Sequence, residues 1–175
     1  MKKLIDSIFF IALCSCMALV SCISDGDDSD TGSIELVAGD KLPVFGVTMN
    51  DGTVVTNESL RGKVSVIVFF NTGCKDCRQE LPVIQQIYED YREMPLLAIS
   101  RAEGAASIAG YWQEQHLTFP YAAQEDRTVY RLFAKSGIPR IYIVDAELTI
   151  RKVFTDNPLA GYDELVAAIN DASLR

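Results

Sequence analysis

Residues 64–81 read VSVIVFFNTGCKDCRQEL. The run Val64–Phe70 is almost wholly apolar, β-branched or aromatic, with no alternation, which fits a central strand buried on both faces. Asn71-Thr72-Gly73 breaks it. From Cys77 to about Arg92, Leu81, Ile84, Ile87, Tyr88 and Tyr91 recur at helical spacing. Pro82 lies inside that pattern, deletes one intrahelical hydrogen bond and is expected to kink the helix. Cys74 and Cys77 therefore fall where a buried strand hands over to a helix. That junction requires a sheet with a helix packed on it, and it sets two thiols one turn apart at the helix start.

The location dictates chemistry. Unpaired N–H groups and the positive end of the helix dipole stabilise a thiolate at a helix mouth, and the thiolate is the species that attacks a disulfide. Cys74 is expected to be the nucleophile. Cys77, one turn further on and more buried, is expected to resolve the mixed disulfide. Lys75 favours a thiolate and Asp76 opposes it, and the sign of their sum stays open. A zinc site lacks ligands, because there is no second cysteine pair and His116 is the only histidine. A purely structural disulfide would close so short a loop that it would restrict the unfolded chain little. Dithiol–disulfide exchange is the reading that remains.

The other three cysteines, Cys14, Cys16 and Cys22, belong to the N-terminus. Met1-Lys2-Lys3 is basic, and Leu4–Val20 is largely apolar, interrupted by Asp6. This pattern predicts an export signal over residues 1–21 rather than a membrane span. It ends in Leu19-Val20-Ser21-Cys22, which resembles a bacterial lipobox and marks Cys22 as the lipidation site. Residues 24–33, SDGDDSDTGS, carry no apolar side chain. Residues 22–33 are therefore expected to form a flexible acidic tether, either a plain spacer or a surface-export tag. Residues 34–175 are one domain's worth of chain. The formal charge is −8, and removal of residues 1–21 takes two lysines and one aspartate and leaves −9. So acidic a chain disfavours nucleic acid as a partner.

Within the domain, Asn50-Asp51-Gly52 between Phe45–Met49 and Thr53–Thr56 predicts a β-hairpin. Leu96–Ser100 reads as a second buried strand. Ala105–Gln115 reads as a helix with Ile108, Ala109 and Trp112 on one face, and Thr118–Ala122 as a short extended piece. Asp126–Ala134 reads as a helix capped by Asp126 or Glu125. Ile141–Asp145 and Leu148–Phe154 pair through a short turn, and Tyr162–Ala172 is an amphipathic helix. The order predicts an α/β fold, a mixed sheet covered by helices on both faces.

These segments together resemble the thioredoxin-like thiol–disulfide oxidoreductases of the TlpA/ResA type, which are exported and membrane-tethered. Ala38–Phe45 resembles the family's opening segment, and Leu60-Arg61-Gly62-Lys63 its lead into the central strand. Cys74–Pro82 resembles the active-site helix, and Gly137-Ile138-Pro139 before Ile141–Asp145 the cis-proline loop. The resemblance implies a thioredoxin-like mixed central sheet with an N-terminal β-hairpin and a TlpA-type helix/strand insertion. It implies that the Ile138–Pro139 peptide is cis beside the sulfurs and that the backbone of Ile138 pairs with an extended substrate segment. It also implies that Glu80 tunes the thiols and carries protons, since Val68 stands where thioredoxin has its buried acid. Three positions depart from the pattern. Gly73 stands where an aromatic is usual, Lys75-Asp76 lacks the common proline, and Arg140 replaces a small threonine. Arg140 is expected to favour an acidic partner, to stabilise the Cys74 thiolate, or to be a solvated loop residue.

The function expected is an exported, lipid-anchored disulfide reductase of the cell envelope, facing the periplasm or the cell surface. Its partners would be disulfide-bearing substrate proteins and a membrane thiol reductant that recycles the pair. No cofactor is expected beyond the redox-active Cys74–Cys77 disulfide, and no metal. A thiol peroxidase is one alternative, although a peroxiredoxin-like Pro-x-x-x-Thr-x-x-Cys is missing. A non-enzymatic surface lipoprotein that only binds a partner is another. His116 reads as a helix-end residue and Trp112 as core. Glu103–Gly110 contains glycines but no phosphate-binding signature.

Overall fold

The structure, a computed structural model, describes residues 34–174. The expected export signal (1–21), the lipid-bearing Cys22 and the acidic tether (22–33) lie outside the described residues.

The run that reads as a doubly buried strand is β3 (Ser65–Phe70), with every residue buried. It sits in the middle of a five-stranded sheet with β4 (Leu96–Ser100), β5 (Tyr121–Ala122), β6 (Arg140–Val144) and β7 (Ile150–Phe154), in the order β5-β4-β3-β6-β7. β3 and β4 run parallel, as do β4 and β5. β6 is antiparallel to β3, and β7 to β6. The hairpin forms separately from β1 (Gly46–Thr48) and β2 (Val54–Thr56). Gly52 turns it with φ +87°, a backbone region that a side chain disfavours. Residues 39–42 fasten onto the start of β7 and the turn before it, through Gly39 N–H to Ile150 O (2.8 Å) and Leu42 N–H to Leu148 O (2.9 Å).

Helices follow the strands. They are α1 (Lys75–Asp90), α2 (Ala105–Glu114), α3 (Thr128–Arg131) and α4 (Tyr162–Ser173). α1 is a single helix that contains Pro82. The predicted Asp126–Ala134 helix shrinks to the four residues of α3, because Asp126 does not cap it. Its carboxylate instead accepts the Thr128 amide at 2.7 Å in a local turn.

Side-chain alternation along β3 divides the core. Phe69 packs against Tyr130 (5.4 Å between ring centroids), Phe133 (4.9 Å) and Tyr142 (6.2 Å) on one face. Phe70 packs on the other against Trp112 (5.0 Å), which continues through Phe119 to Tyr88 of α1. Each such aromatic pair adds about 1 kcal/mol beyond its area burial. Trp112 also donates its indole N–H to Phe119 O at 2.9 Å, so it is core, as its spacing predicts. His116 follows α2 with φ +55°. The parallel strands β3 and β4 point their carboxyl ends to one edge of the sheet, and the chain leaves that edge at Asn71.

Candidate active site at the start of helix α1

At that edge the backbone is pinned residue by residue. Asn71 accepts the Gly73 amide on Oδ1 (2.8 Å) and the Cys74 amide on its carbonyl (3.0 Å), a tight turn that a small residue at 73 suits. Thr72 is fixed from outside the segment. Its amide donates to Glu103 Oε2 at 2.7 Å, its hydroxyl donates to Glu103 Oε1, and Ser107 donates to the same oxygen at 2.6 Å. Arg78 reaches back from α1 to Thr72 O (2.5 Å), and its guanidinium lies over the Tyr111 ring at 5.5 Å. The insertion that carries α2 thus holds the turn that aims the thiols. Sequence reading left Glu103 unassigned, since nothing in its local pattern signals a partner 31 residues earlier.

Cys74 is the N-cap of α1, with extended backbone (φ −81°, ψ 126°), and its Sγ accepts the Cys77 amide at 3.4 Å. It is part-exposed, whereas Cys77 is fully buried, and both are free thiols. Burial pushes the Cys77 thiol far above its ordinary value. The Asn71 amide pulls it back, Cys74 raises it further, and the positive charge of Arg101 lowers it. An outside reagent therefore meets Cys74 first. Cys77 needs both a proton acceptor and a change at Cys74 before it can react.

Glu80 lies one turn after Cys77, on the buried side of α1, and is 2 % exposed. Burial raises its carboxyl to about 7; the Ala160 backbone pulls it down and the charge of Glu164 pushes it up. Its Oε1 has no hydrogen-bond partner. A carboxyl with that value exchanges protons at neutral pH.

The loop before β6 closes the site. Ile138–Pro139 is cis, and the Cys74 thiol donates to Ile138 O at 3.5 Å. Gly137 holds φ +82°, and a side chain there would meet the Asp156 carboxylate at 3.4 Å. Tyr130 OH donates to Gly137 O at 2.7 Å. Arg101 lies over the Tyr130 ring at 5.8 Å, which links the thiols to the loop. Arg140 opens β6 directly after that loop, and it is not a solvated residue. Its guanidinium pairs with Glu35, its Nε donates to Ser136 O (3.0 Å), and its side chain is 11 % exposed. It shares a sheet face with Tyr142, the face opposite Ile141. Its charge is taken up inside the protein. Cys74, Cys77, Ile138 and Pro139 converge, Glu80 adjoins Cys77 along the helix, and Cys22 lies outside the described residues. Among the described residues, no cluster of His, Cys, Asp and Glu could hold a metal, and no helix is long and apolar enough to cross a membrane.

A paired thiol set, one sulfur offered and one withheld, on a mixed sheet of this order is what a thioredoxin-like thiol–disulfide oxidoreductase presents. Known proteins agree on the class. The chain belongs to the AhpC/TSA family, whose model matches residues 38–153. It is similar to the thiol-disulfide oxidoreductase ResA of Bacillus cereus, 24% identical over 158 residues that cover 87% of this chain and 90% of that one. Among solved structures it is similar to a Bacteroides thetaiotaomicron protein provisionally assigned as a protein disulfide isomerase. That match has 27% identity and TM-score 0.73, and covers 81% of this chain and 96% of the other. It is also similar to a thio-disulfide isomerase of Thermus thermophilus, with 26% identity and TM-score 0.66, covering 79% of this chain and 98% of the other.

Proposed function

We propose that this protein reduces disulfides in partner proteins at the cell envelope. The observation that carries the reading is the asymmetry of the two sulfurs, with Cys74 open beside the Ile138 carbonyl and Cys77 buried behind it. The Cys74 thiolate attacks one sulfur of the substrate disulfide. A Cys74–substrate bond forms, the substrate S–S bond breaks, and the departing thiolate takes up a proton. Cys77 then gives its proton to Glu80 and attacks Cys74 Sγ. The mixed disulfide breaks, the second substrate thiol leaves, and the Cys74–Cys77 disulfide remains. Two electrons have passed to the substrate. A membrane thiol reductant must return two electrons and two protons to reset the pair.

In this reading Ile138 and Pro139 offer backbone to an extended substrate segment, which holds its disulfide near Cys74. The lipobox at Cys22 and the acidic stretch after it support a lipid anchor in the envelope, with the domain facing the periplasm or the cell surface. The reductive direction rests on the similarity to ResA.

The test is a trap. Cys77→Ser is expected to accumulate mixed disulfides through Cys74, and Cys74→Ser none. The native dithiol is expected to reduce a protein disulfide far faster than it consumes hydrogen peroxide. Faster reaction with peroxide would make it a peroxidase. Full function in cells of a Cys74→Ala/Cys77→Ala double variant would make it a binding protein.

A further inference from the structure

We propose that Glu35 and Arg140 are positioning residues for the Ile138–Pro139 loop, so that the first residues of the domain form part of its substrate-holding machinery. The inference rests on the disulfide-exchange reading above. Glu35 uses both carboxylate oxygens: Oε1 pairs with the Arg140 guanidinium and Oε2 accepts the Lys135 amide at 3.0 Å. The next residue, Leu36, is buried and donates its amide to Phe133 O at 2.9 Å. Arg140 in turn donates to Ser136 O at 3.0 Å. Residues 133–136 are thus held at three backbone atoms by Glu35, Leu36 and Arg140. The following residue, Gly137, is held by Tyr130, and the residue after that places its carbonyl on Cys74 Sγ.

Glu35 therefore reaches the reacting sulfur through a short chain of contacts and touches neither sulfur nor substrate. It lies among the first described residues, so the described domain begins beside the loop that would meet the substrate. The pair also accounts for an arginine at 140. Arginine presents several donors in a fixed fork, enough to serve Glu35 and the Ser136 carbonyl together. At 11 % exposure, a guanidinium without Glu35 would be a poorly solvated charge.

The experiment compares the full chain with Glu35→Gln, Arg140→Gln and the double variant on two disulfides. One is an extended peptide bridged by a disulfide, which needs the loop. The other is dithiodipyridine, which needs only an accessible Cys74. Glu35→Gln is expected to raise KM for the peptide at least roughly threefold with kcat changed less, because it loosens substrate binding rather than the sulfur. Its rate with dithiodipyridine is expected to stay within about twofold of native. In the Arg140→Gln background the Glu35→Gln effect is expected to vanish, as contacting residues couple. An unchanged peptide KM in Glu35→Gln overturns the proposal. So does an equal effect in both backgrounds, or a parallel fall of the dithiodipyridine rate. Failure of the native chain to reduce the peptide would instead strike at the proposed function itself.

Discussion

The carboxylate of Glu103 accepts both the amide and the hydroxyl of Thr72, two residues before Cys74. Hydrogen bonds to a charged acceptor contribute roughly 1.5–3 kcal/mol each, and the Thr72 amide finds no other partner if the carboxylate goes. Glu103→Ala is expected to lower the urea midpoint and to alter the rate at which iodoacetamide alkylates Cys74. Glu103→Gln keeps one acceptor and is expected to fall between. An alkylation rate that stays native in Glu103→Ala would mean that the 71–73 turn holds itself.

Glu80 gives a pH signature. Its folded value of about 7 lies above the ordinary carboxylate value of 4.5. Between those two values the folded chain holds a proton that the unfolded chain has released, so stability falls as pH rises through the window and levels off above it. Glu80→Gln is expected to flatten this dependence and to unfold later than the native chain at pH 8, by about 1–3 kcal/mol. Resolution of the mixed disulfide is expected to titrate near neutrality in the native chain and to lose that titration in the variant. Stopped-flow across pH 5–9, a range of about two units either side of the raised value, checks both. A native-like pH profile in Glu80→Gln would assign the proton to another acceptor.

Arg101 supplies the positive charge that eases deprotonation of Cys77. Arg101→Gln is expected to slow release of the substrate from the Cys74 mixed disulfide, because it removes a charge that favours the Cys77 thiolate. The first attack at Cys74 is expected to change less. Quenched-flow separation of the two steps distinguishes this from a general loss of activity, in which both would fall together.

Asp145 tests the opposite sign. It is fully buried. Burial alone would raise its carboxyl, but the Thr149 amide (2.8 Å), Arg151 (2.5 Å) and the Glu147 amide (3.0 Å) outweigh it and hold the value below normal. A depressed acid contributes stability above its unfolded value and loses it as pH falls through the folded one. Asp145→Asn is expected to cost about 2–3 kcal/mol at neutral pH. The gap to the native chain is expected to narrow at acid pH, once the pH falls below the ordinary carboxylate value of 3.8 and through the lowered native one. Urea titrations at the two pH values measure it.

Where local pattern and burial coincide, the sequence reads clearly. The Val64–Phe70 run, the Asn-Asp-Gly turn and the Cys-x-x-Cys step each announce their own geometry, and β3, the hairpin and α1 follow. The Asp126–Ala134 helix fails because the Asp126 side chain takes the Thr128 amide. The chain then turns to bring Phe133 O to Leu36 and Gly137 O to Tyr130. Glu35, Arg101 and Glu103 carry no local signal at all. Their partners lie tens of residues away, so only the folded chain brings them together. Arg140 is half legible: its position beside Pro139 stands out, while its ion pair reaches back 105 positions to Glu35.

The burial of Cys77 also makes the thiol count a reporter of folding. With a bulky maleimide, the native reduced domain is expected to gain a single adduct, and the denatured domain two. Intact-mass spectrometry can therefore follow opening of the sheet edge without a fluorophore, and any ligand that seals the mouth will show up as a molecule that escapes labelling altogether.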